Sequence, residues 1–276
     1  MQPPIESPPL SWGRQTAWHL RQMREAAPLV HNMTNYVVMN FTANALLAAG
    51  ASPVMSHAAD EVEDMVSVAK ALVLNIGTLD DIWVYAMLLA GKKATELGLP
   101  IVLDPVGAGA TPLRTNAARR ILDEMKVAVV RANPSEILAV AGTINHTKGV
   151  DSADSVEMAA EAARRLAAET GAVVAMTGAE DLVTDGVRTV RVANGHPLMG
   201  CVTGTGCGAT AMVGAFTGAS PDAFSSAAAA LAYYGAAGEQ AAREAAGPGT
   251  FVPLFLDALH RLSPEDLERE ARIRAE

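Results

Sequence analysis

The segment Thr203-Gly204-Thr205-Gly206-Cys207-Gly208-Ala209 joins a glycine-rich loop to a helix of small and apolar residues. Glycines allow the backbone to approach a ligand closely. The helix directs free N–H groups and the positive end of its dipole back at the loop. The segment therefore predicts an anion hole suited to a phosphate group. The alternative is a tight turn whose glycines serve only close helix packing.

Two common phosphate-binding fingerprints fit this loop poorly. Gly204, Gly206 and Ala209 match the spacing G-x-G-x-x-A. A dinucleotide fingerprint of that kind belongs after the first strand of a βαβ unit, whereas this loop lies late in the chain. The P-loop pattern G-x-x-x-x-G-K-[ST] does not occur in the sequence. The loop therefore predicts a phosphate site of another kind.

The rest of the chain alternates short apolar runs with helical patterns, which is typical of an α/β fold with a mostly parallel sheet. The segment from Asp181 to Val192 has the pattern of a hairpin that turns at Asp185-Gly186. The predicted strands are Leu29–Met33, Pro53–Ser56, Ala71–Ile76, Pro100–Pro105, Val127–Ala132, Ala172–Thr177, Leu182–Thr184 and Val187–Val192.

No internal repeat or linker divides the chain, so we predict one main domain over residues 28–262. Residues 1–27 are predicted as a proline-rich flexible lead-in followed by an amphipathic helix, with Trp18 and Leu20 facing inward. The tail, residues 263–276, is predicted to be helical almost to its end. The lead-in and the tail receive no functional role.

The composition excludes several classes of protein. Hydrophobic residues make up 50% of the 276 residues and charged residues 18%, which excludes a disordered chain. Acidic residues outnumber basic ones by 30 to 21, so a sequence-independent nucleic-acid binder is not expected. The two cysteines cannot form a disulfide framework. No signal peptide or membrane span is visible, and we expect a soluble cytoplasmic protein.

Polar side chains lie at or just after the C-terminal ends of three predicted strands, where ligands sit in open α/β sheets. Asp104 lies in Leu103–Gly109, and Arg131 and Glu136 flank the start of the next predicted helix. The two carboxylates predict a Mg²⁺ site, because Mg²⁺ takes one or two carboxylates with water and substrate phosphates. The alternative for Glu136 is stabilisation of the helix dipole. Arg131 suits a phosphate, and Thr177 suits the edge of a nucleotide.

Cys207 stands at the start of the predicted helix, a position that lowers the pKa of a thiol. We therefore expect a lowered pKa for Cys207. Three roles stay open on this evidence. The thiol is a covalent nucleophile, a base or anchor beside a reacting hydroxyl, or a small buried filler.

The first two strands end in further candidate residues. The cluster His31-Asn32-Met33-Thr34-Asn35 is polar, and its alternative role is to cap the next helix. Met55 points inward from the second strand, where a core position is the alternative. No pair of histidines has the spacing of zinc ligands. Surface or structural roles are assigned to His19, His146 and His260.

Five motifs in this order resemble those of the hydroxyethylthiazole kinases, which belong to the ribokinase-like superfamily. The resemblance covers residues 28 to 262. Cys207 is itself characteristic of the thiazole kinases, whereas sugar-kinase relatives carry Asp there. Two small departures, Met33 for Ile and Ala132-Asn133-Pro134 for Gly-Asn-Ala, remove no functional group. The motifs are His31–Asn35, Ala51–Met55, Leu103–Ala108, Asn133–Ile137 and Val202–Cys207.

The resemblance implies a three-layer αβα ribokinase-like fold with a mostly parallel central sheet. It implies ATP-dependent phosphorylation of 5-(2-hydroxyethyl)-4-methylthiazole, a salvage step toward thiamine, with Mg²⁺ as cofactor. It also implies a homotrimer with active sites between subunits. The residues that it implies are Met55, Gly204 and Asn35 for the thiazole, Arg131, Thr177 and Gly206 for ATP, Asp104 and Glu136 for the metal, and Cys207 for catalysis.

Three other functions remain open at this point. The first is a kinase of the same superfamily that acts on another small heterocyclic alcohol. The second is a thiol hydrolase or transferase that uses Cys207 covalently and needs no ATP. The third is a thiazole-binding protein without catalysis. Such a protein would not need the carboxylates Asp104 and Glu136, so their presence argues against it.

Overall fold

A single twisted sheet forms the centre of the protein. The computed structural model describes residues 11–142 and 152–276. The predicted flexible lead-in and His146 lie outside these ranges. In the described part the sheet has nine strands in the order β2-β1-β3-β4-β5-β6-β7-β8-β9. The strands are β1 Leu29–Met33, β2 Ser52–Val54, β3 Ala71–Asn75, β4 Ile101–Asp104, β5 Val127–Ala132, β6 Val173–Met176, β7 Asp181–Thr184, β8 Thr189–Val192 and β9 Ile273–Ala275.

The sheet is parallel from β2 to β6 and antiparallel from β7 to β9. All eight predicted strands are confirmed, and so is the hairpin, which β7 and β8 form. The helices are α1 Trp12–Ala26, α2 Met39–Ala49, α3 Val62–Val68, α4 Asp81–Leu97, α5 Pro112–Glu124, α6 Pro134–Val140, α7 Ser152–Thr170, α8 Thr205–Gly218, α9 Ala223–Glu244, α10 Pro248–Arg261 and α11 Pro264–Glu270.

Helices cover both faces of the sheet and bury alternate strand residues against it. On β3, for example, Val73 packs with α1, α2 and α8 to α11, whereas Leu72 and Leu74 pack with α3 to α7. This arrangement confirms the predicted three-layer α/β fold. Helix α8 lies directly on the sheet, since a Cβ added at Gly214 would stand 2.8 Å from Val73 Cγ2. The close approach fixes where the N-terminus of α8 points.

Two details of the chain ends differ from the predictions. Leu20 is buried as predicted, but Trp18 is 45% exposed and packs edge-on against His19 instead of facing inward. The tail is not helical throughout. Helix α11 ends at Glu270, and the following residues form β9, which pairs antiparallel with β8. A three-residue strand bordered by charged residues shows no clear alternation, so the helical pattern before it hid the strand.

Two of the histidines with predicted surface or structural roles, His19 and His260, lie in the described part of the chain. His19 is buried, and its Nε2 lies 2.9 Å from Ser225 Oγ on α9. Burial lowers the pKa of His19 to about 4, so the ring is neutral and holds α1 to α9. His260 is exposed. No helix in the described part of the chain is long and apolar enough to span a membrane.

Candidate active site

Asp104 ends β4 at the centre of the sheet and is completely buried. One carboxylate oxygen, Oδ2, accepts hydrogen bonds from Asn75 Nδ2 at 2.7 Å and from Thr210 Oγ1 at 2.8 Å. The other oxygen, Oδ1, has no hydrogen-bond partner in the described part of the chain and lies 3.9 Å from Arg131 Nη1. A buried oxygen of this kind is costly unless something else binds it.

The surroundings of Asp104 act against its charge. Burial raises the pKa of the carboxyl to about 6, and the nearby charge of Glu136 adds to the rise. Arg131 and the two hydrogen bonds from Thr210 and Asn75 oppose it without cancelling it. Binding of a further cation next to Asp104 would therefore be favourable, because the cation would stabilise the charged form of the carboxyl group.

Glu136 lies in the first turn of α6 and is hydrogen-bonded through both carboxylate oxygens. Its Oε2 accepts from the backbone N–H of Asn133 at 3.0 Å, and Asn133 Oδ1 accepts from the N–H of Glu136 at 2.9 Å. Its Oε1 accepts from the N–H of Gly107 at 2.8 Å. The capping box holds the start of α6, and the bond to Gly107 fixes the loop after β4 beside it. A role for Glu136 at a metal stays a prediction.

The glycine-rich loop caps α8 without a side chain. Gly204 is the N-cap with φ +90°, and an added Cβ would stand 3.0 Å from Val38. The first helical hydrogen bond runs from the N–H of Gly208 to the oxygen of Gly204 at 2.7 Å. The amides of Gly206 and Cys207 precede it and have no partner inside the helix. The predicted anion hole is therefore present in its geometry.

Cys207 is half-buried, and its thiol is connected to Asp104 through two amides. Asn35 Nδ2 lies 3.5 Å from Cys207 Sγ and donates to Asn75 Oδ1 at 2.9 Å. Asn75 in turn donates to Asp104. The expected lowering of the thiol pKa is wrong, since burial and the charge of Asp104 raise the pKa of Cys207 to about 12.

A cavity of ≈ 520 Å³ opens on the other side of the loop. It brings together the three residues that the resemblance assigns to ATP, namely Arg131, Thr177 and Gly206. The Arg131 guanidinium donates to the Thr177 hydroxyl and lies against the backbone of Gly206, where an added Cβ would stand 2.9 Å from Nη1. The cavity therefore has a cationic side chain at the N-terminus of α8.

The site residues fall into two groups on either side of the loop. Gly204 lies against Val38 and Phe41 at the start of α2, and Cys207 lies beside Asn35, whereas Arg131 and its partners line the cavity. Met55 joins neither group. It is half-buried after the edge strand β2, beyond the residues that line the cavity. In the described part of the chain no three histidine, cysteine or acidic side chains cluster well enough to hold a metal.

Four further residues were missed by the sequence reasoning. Asn75 and Thr210 hold Asp104, and Asp181 and Tyr234 line the cavity. Burial raises the pKa of Asp181 to about 6, and the buried hydroxyl of Tyr234 has no hydrogen-bond partner within the described residues. Only Asn75 left a signal, as the one polar residue in the apolar run from Ala71 to Ile76.

Comparison with solved structures shows that the fold resembles that of ribokinase-like proteins. A ribokinase-like superfamily protein from Enterococcus faecalis superposes with a TM-score of 0.65 at 11% identity, covering 96% of this chain and 92% of its own. A pyridoxal kinase from Staphylococcus aureus superposes at 0.63 and 16% identity, covering 90% and 98%. At these identities the likeness concerns the fold alone.

Sequence comparison identifies the family. A model of the hydroxyethylthiazole kinase family matches residues 20–265. A hydroxyethylthiazole kinase from Desulfotalea psychrophila is 55% identical over 258 residues, which are 94% of both chains. A hydroxyethylthiazole kinase structure from Pyrococcus horikoshii is 45% identical with a TM-score of 0.88, covering 95% of this chain and 98% of its own. The chain belongs to the hydroxyethylthiazole kinase family.

The raised pKa of Asp104 predicts a pH-dependent gain in stability for Asp104→Asn. Protonated Asp104 contributes stability in full below its unfolded pKa of 3.8, and this contribution is lost as the pH rises through about 6. Without nucleotide or metal, the variant should therefore match the wild type near pH 4 and exceed it by about 1–3 kcal/mol at pH 8. Denaturant unfolding at both pH values measures the difference.

Asp123→Asn, at an exposed aspartate, is the matched control and should leave both values unchanged. A variant less stable than the wild type at pH 8 would show that the attraction to Arg131 outweighs the burial of the charge.

The raised pKa of Cys207 predicts that its thiol resists alkylation. At pH 8 a thiol of pKa about 12 is ionised on the order of 10³ times less than an ordinary cysteine of pKa about 8.5. Iodoacetamide should modify the exposed Cys201 and leave Cys207 intact, as measured by peptide mass spectrometry. Unfolded protein, in which both react, is the control. Rapid modification of Cys207 in the folded protein would favour the alternative function, a thiol enzyme that uses Cys207 covalently.

Proposed function

We propose that this protein transfers the γ-phosphoryl group of ATP to the hydroxyl of 5-(2-hydroxyethyl)-4-methylthiazole, a salvage step toward thiamine. One observation carries the proposal. At the N-terminus of α8, Gly206 lines a cavity together with Arg131, and the next residue, Cys207, belongs to a polar cluster that leads through Asn35 and Asn75 to Asp104. A donor and an acceptor bound on these two sides would meet at the anion hole. The relatives named above support this choice of acceptor.

The cavity side of the loop takes ATP. Phosphoryl transfer passes through a loose transition state, so catalysis consists mostly of positioning and charge stabilisation. The amides of Gly206 and Cys207 stabilise the charge on the transferred group together with the dipole of α8. Arg131 binds a phosphate oxygen as a donor, and its bond to Thr177 holds the guanidinium in place.

Mg²⁺ is the metal that this site suits. Asp104 offers one buried carboxylate oxygen without a hydrogen bond, and few other acidic groups lie near it. This fits an ion that keeps several waters and takes phosphate oxygens as ligands. Asp104 would hold the ion, and Glu136 would orient its waters. The ion supplies charge neutralisation for the phosphates.

The other side of the loop takes the alcohol. Gly204 and Asn35 bound this side, and the Cys207 thiol is half-buried between them. With a pKa of about 12 the thiol is neutral, so it orients the hydroxyl by a hydrogen bond instead of removing its proton. A loose transition state demands little from a base, which suits an uncharged side chain here.

The rival functions make different demands on the site. A covalent thiol enzyme needs a thiolate, which the raised pKa of Cys207 disfavours. A kinase for another heterocyclic alcohol would use the same cavity and the same Asp104, and only the acceptor would differ. We assign the reaction to the cytoplasm, where ATP is present.

We also propose a homotrimer with active sites between subunits. Met55 lies outside the cavity, so its contact with thiazole requires a surface beyond the one described above. Three apolar side chains, Tyr36, Ile82 and Tyr85, are 59%, 77% and 57% exposed, and Tyr36 packs edge-on against His57, two residues after Met55. Exposed apolar clusters of this kind are typical of surfaces that another protein covers.

The trimer predicts three times the chain mass of 28.7 kDa in sedimentation equilibrium. Ile82→Asp should reduce this mass, because it places a charge in the covered surface. Val187→Asp, at the 94% exposed tip of the hairpin, is the matched control and should keep the trimer. A wild-type protein with the mass of one chain would contradict the proposal.

The reaction predicts phosphorylated thiazole as the product, detected by mass spectrometry from purified protein, hydroxyethylthiazole, ATP and Mg²⁺. EDTA should abolish product, and Asp104→Asn should lower kcat by on the order of 10²–10³ because a charged group at the phosphates is lost. Cys207→Asp should stay active within about tenfold, because the base contributes little. Asp123→Asn is the control.

Two negative results of this assay would lead to different conclusions. If no product forms but ATP still raises the melting temperature, the protein would still be interpreted as a kinase, and other alcohols would be tested as acceptors. Absence of both would mean that the glycine-rich loop binds no nucleotide phosphate.

A further inference from the structure

One wall of the cavity is the segment 193–200, which follows β8 and includes the start of a 3₁₀ helix at Pro197–Cys201. Asn194, Gly195 and His196 line the cavity from this wall. Beyond Ala193, whose N–H donates to Arg272 O at 2.9 Å, the segment lies outside the sheet, because β8 ends at Val192. The position of the wall must therefore come from what lies behind it.

The wall rests directly on the backbone of α9. A Cβ added at Gly235 would stand 2.5 Å from Asn194 O, and one at Gly238 would stand 2.5 Å from Met199 Sδ. Gly235 faces backbone atoms, so this position requires glycine, whereas a side chain at Gly238 would require the flexible end of Met199 to shift. The two glycines set the distance between the wall and α9, but they do not fix the wall along the helix.

Glu239 and Arg272 supply that fixation together with one further bond, from Asn194 Nδ2 to Glu270 O at 2.9 Å. Glu239 Oε1 accepts from the N–H of Gly195 at 2.7 Å. Arg272 donates from Nη1 to Glu239 Oε2 at 2.9 Å and from Nη2 to Oε1 at 2.5 Å, and Nη2 also donates to Ala193 O at 2.6 Å. The backbone N–H of Arg272 donates to Asn194 Oδ1 at 2.7 Å. We call this pair the Glu239–Arg272 clamp.

We propose that the Glu239–Arg272 clamp positions the wall of the nucleotide cavity and thereby sets the affinity for ATP. Neither side chain lines the cavity, so both are positioning residues. Arg272 lies in the chain between α11 and β9, in the tail that the sequence left without a role. This inference rests on the proposed function, since it takes the cavity as the ATP site.

The geometry favours a positioning role over a contribution to overall stability. The Arg272 side chain is 51% exposed, and ion pairs this exposed add little to the stability of a protein. The Glu239 side chain is only 14% exposed, and it is the acceptor for the amide of Gly195, whose φ is +145°. Loss of Glu239 would leave that amide free to turn, and the change would fall on the wall.

The test compares Glu239→Ala with Glu239→Gln and Arg272→Ala. Titration calorimetry with a non-hydrolysable ATP analogue gives Kd without turnover, and steady-state kinetics give KM for each substrate. Glu239→Ala should raise Kd and the KM for ATP by about tenfold, and the KM for the thiazole should stay within about twofold. Arg272→Ala should act in the same direction.

Glu239→Gln separates the hydrogen bond from the charge. Its amide oxygen can still accept from Gly195, so its Kd for the analogue should lie closer to the wild type than that of Glu239→Ala. Arg269→Ala is the matched control, because Arg269 precedes the clamp in α11 and pairs with Asp266 on the surface. It should leave both KM values unchanged.

Several results would overturn the inference. A Kd within about twofold of the wild type in Glu239→Ala would show that the clamp does not control the wall. An equal rise in both KM values would show general damage to the site. If Glu239→Ala fails to fold, Glu239→Gln and Arg272→Ala decide by the same criteria. Wild-type protein that binds the analogue but does not phosphorylate the thiazole would refute the proposed function alone.

Discussion

A carboxylate buried at the centre of the sheet is the constraint around which the site is arranged. Asp104 is wholly buried, and its Oδ2 is held by Asn75 and Thr210. Among the described residues its Oδ1 has no hydrogen-bond partner, and Arg131 Nη1, at 3.9 Å, is too far away to be one. Holding a charge there costs stability, which the raised pKa of Asp104 expresses. Buried charges that lower stability are retained in proteins where function requires them. A bound cation with phosphates would offset the loss of stability at Asp104.

Burial and the same carboxylate together determine the protonation state of Cys207. A helix N-terminus stabilises a nearby anion by about 0.3–1 kcal/mol. Raising the pKa of the thiol from 9.0 to about 12 corresponds to about 4 kcal/mol in the opposite direction. Burial and the charge of Asp104 therefore outweigh the dipole. In the proposed reaction the thiol would be a neutral neighbour of the acceptor hydroxyl, and the N-terminus of α8 would be left to the phosphoryl group.

Local patterns predicted the strands, the hairpin and the anion hole, because alternation of apolar runs and the spacing of glycines are properties of short segments. The pKa of Cys207 could not be predicted from a local pattern, since it depends on burial and on Asp104, which is 103 positions away in the chain. Strand β9 was missed because three residues show no period, and its pairing with β8 is a long-range choice. The exposure of Trp18 depends in the same way on the packing of α1 against α9 and α11.

The ends of the chain and the cavity are connected through α9. Tyr234 and Gly235 on this helix line the cavity, and one turn further on Glu239 holds the wall. Arg272 reaches Glu239 only because β9 pairs with β8 and brings the tail back to the sheet. A tail to which the sequence analysis gave no role thus stands behind the wall of the cavity. Motifs mark the residues that touch a ligand, whereas the residues that hold those in place are recognised only from the packing.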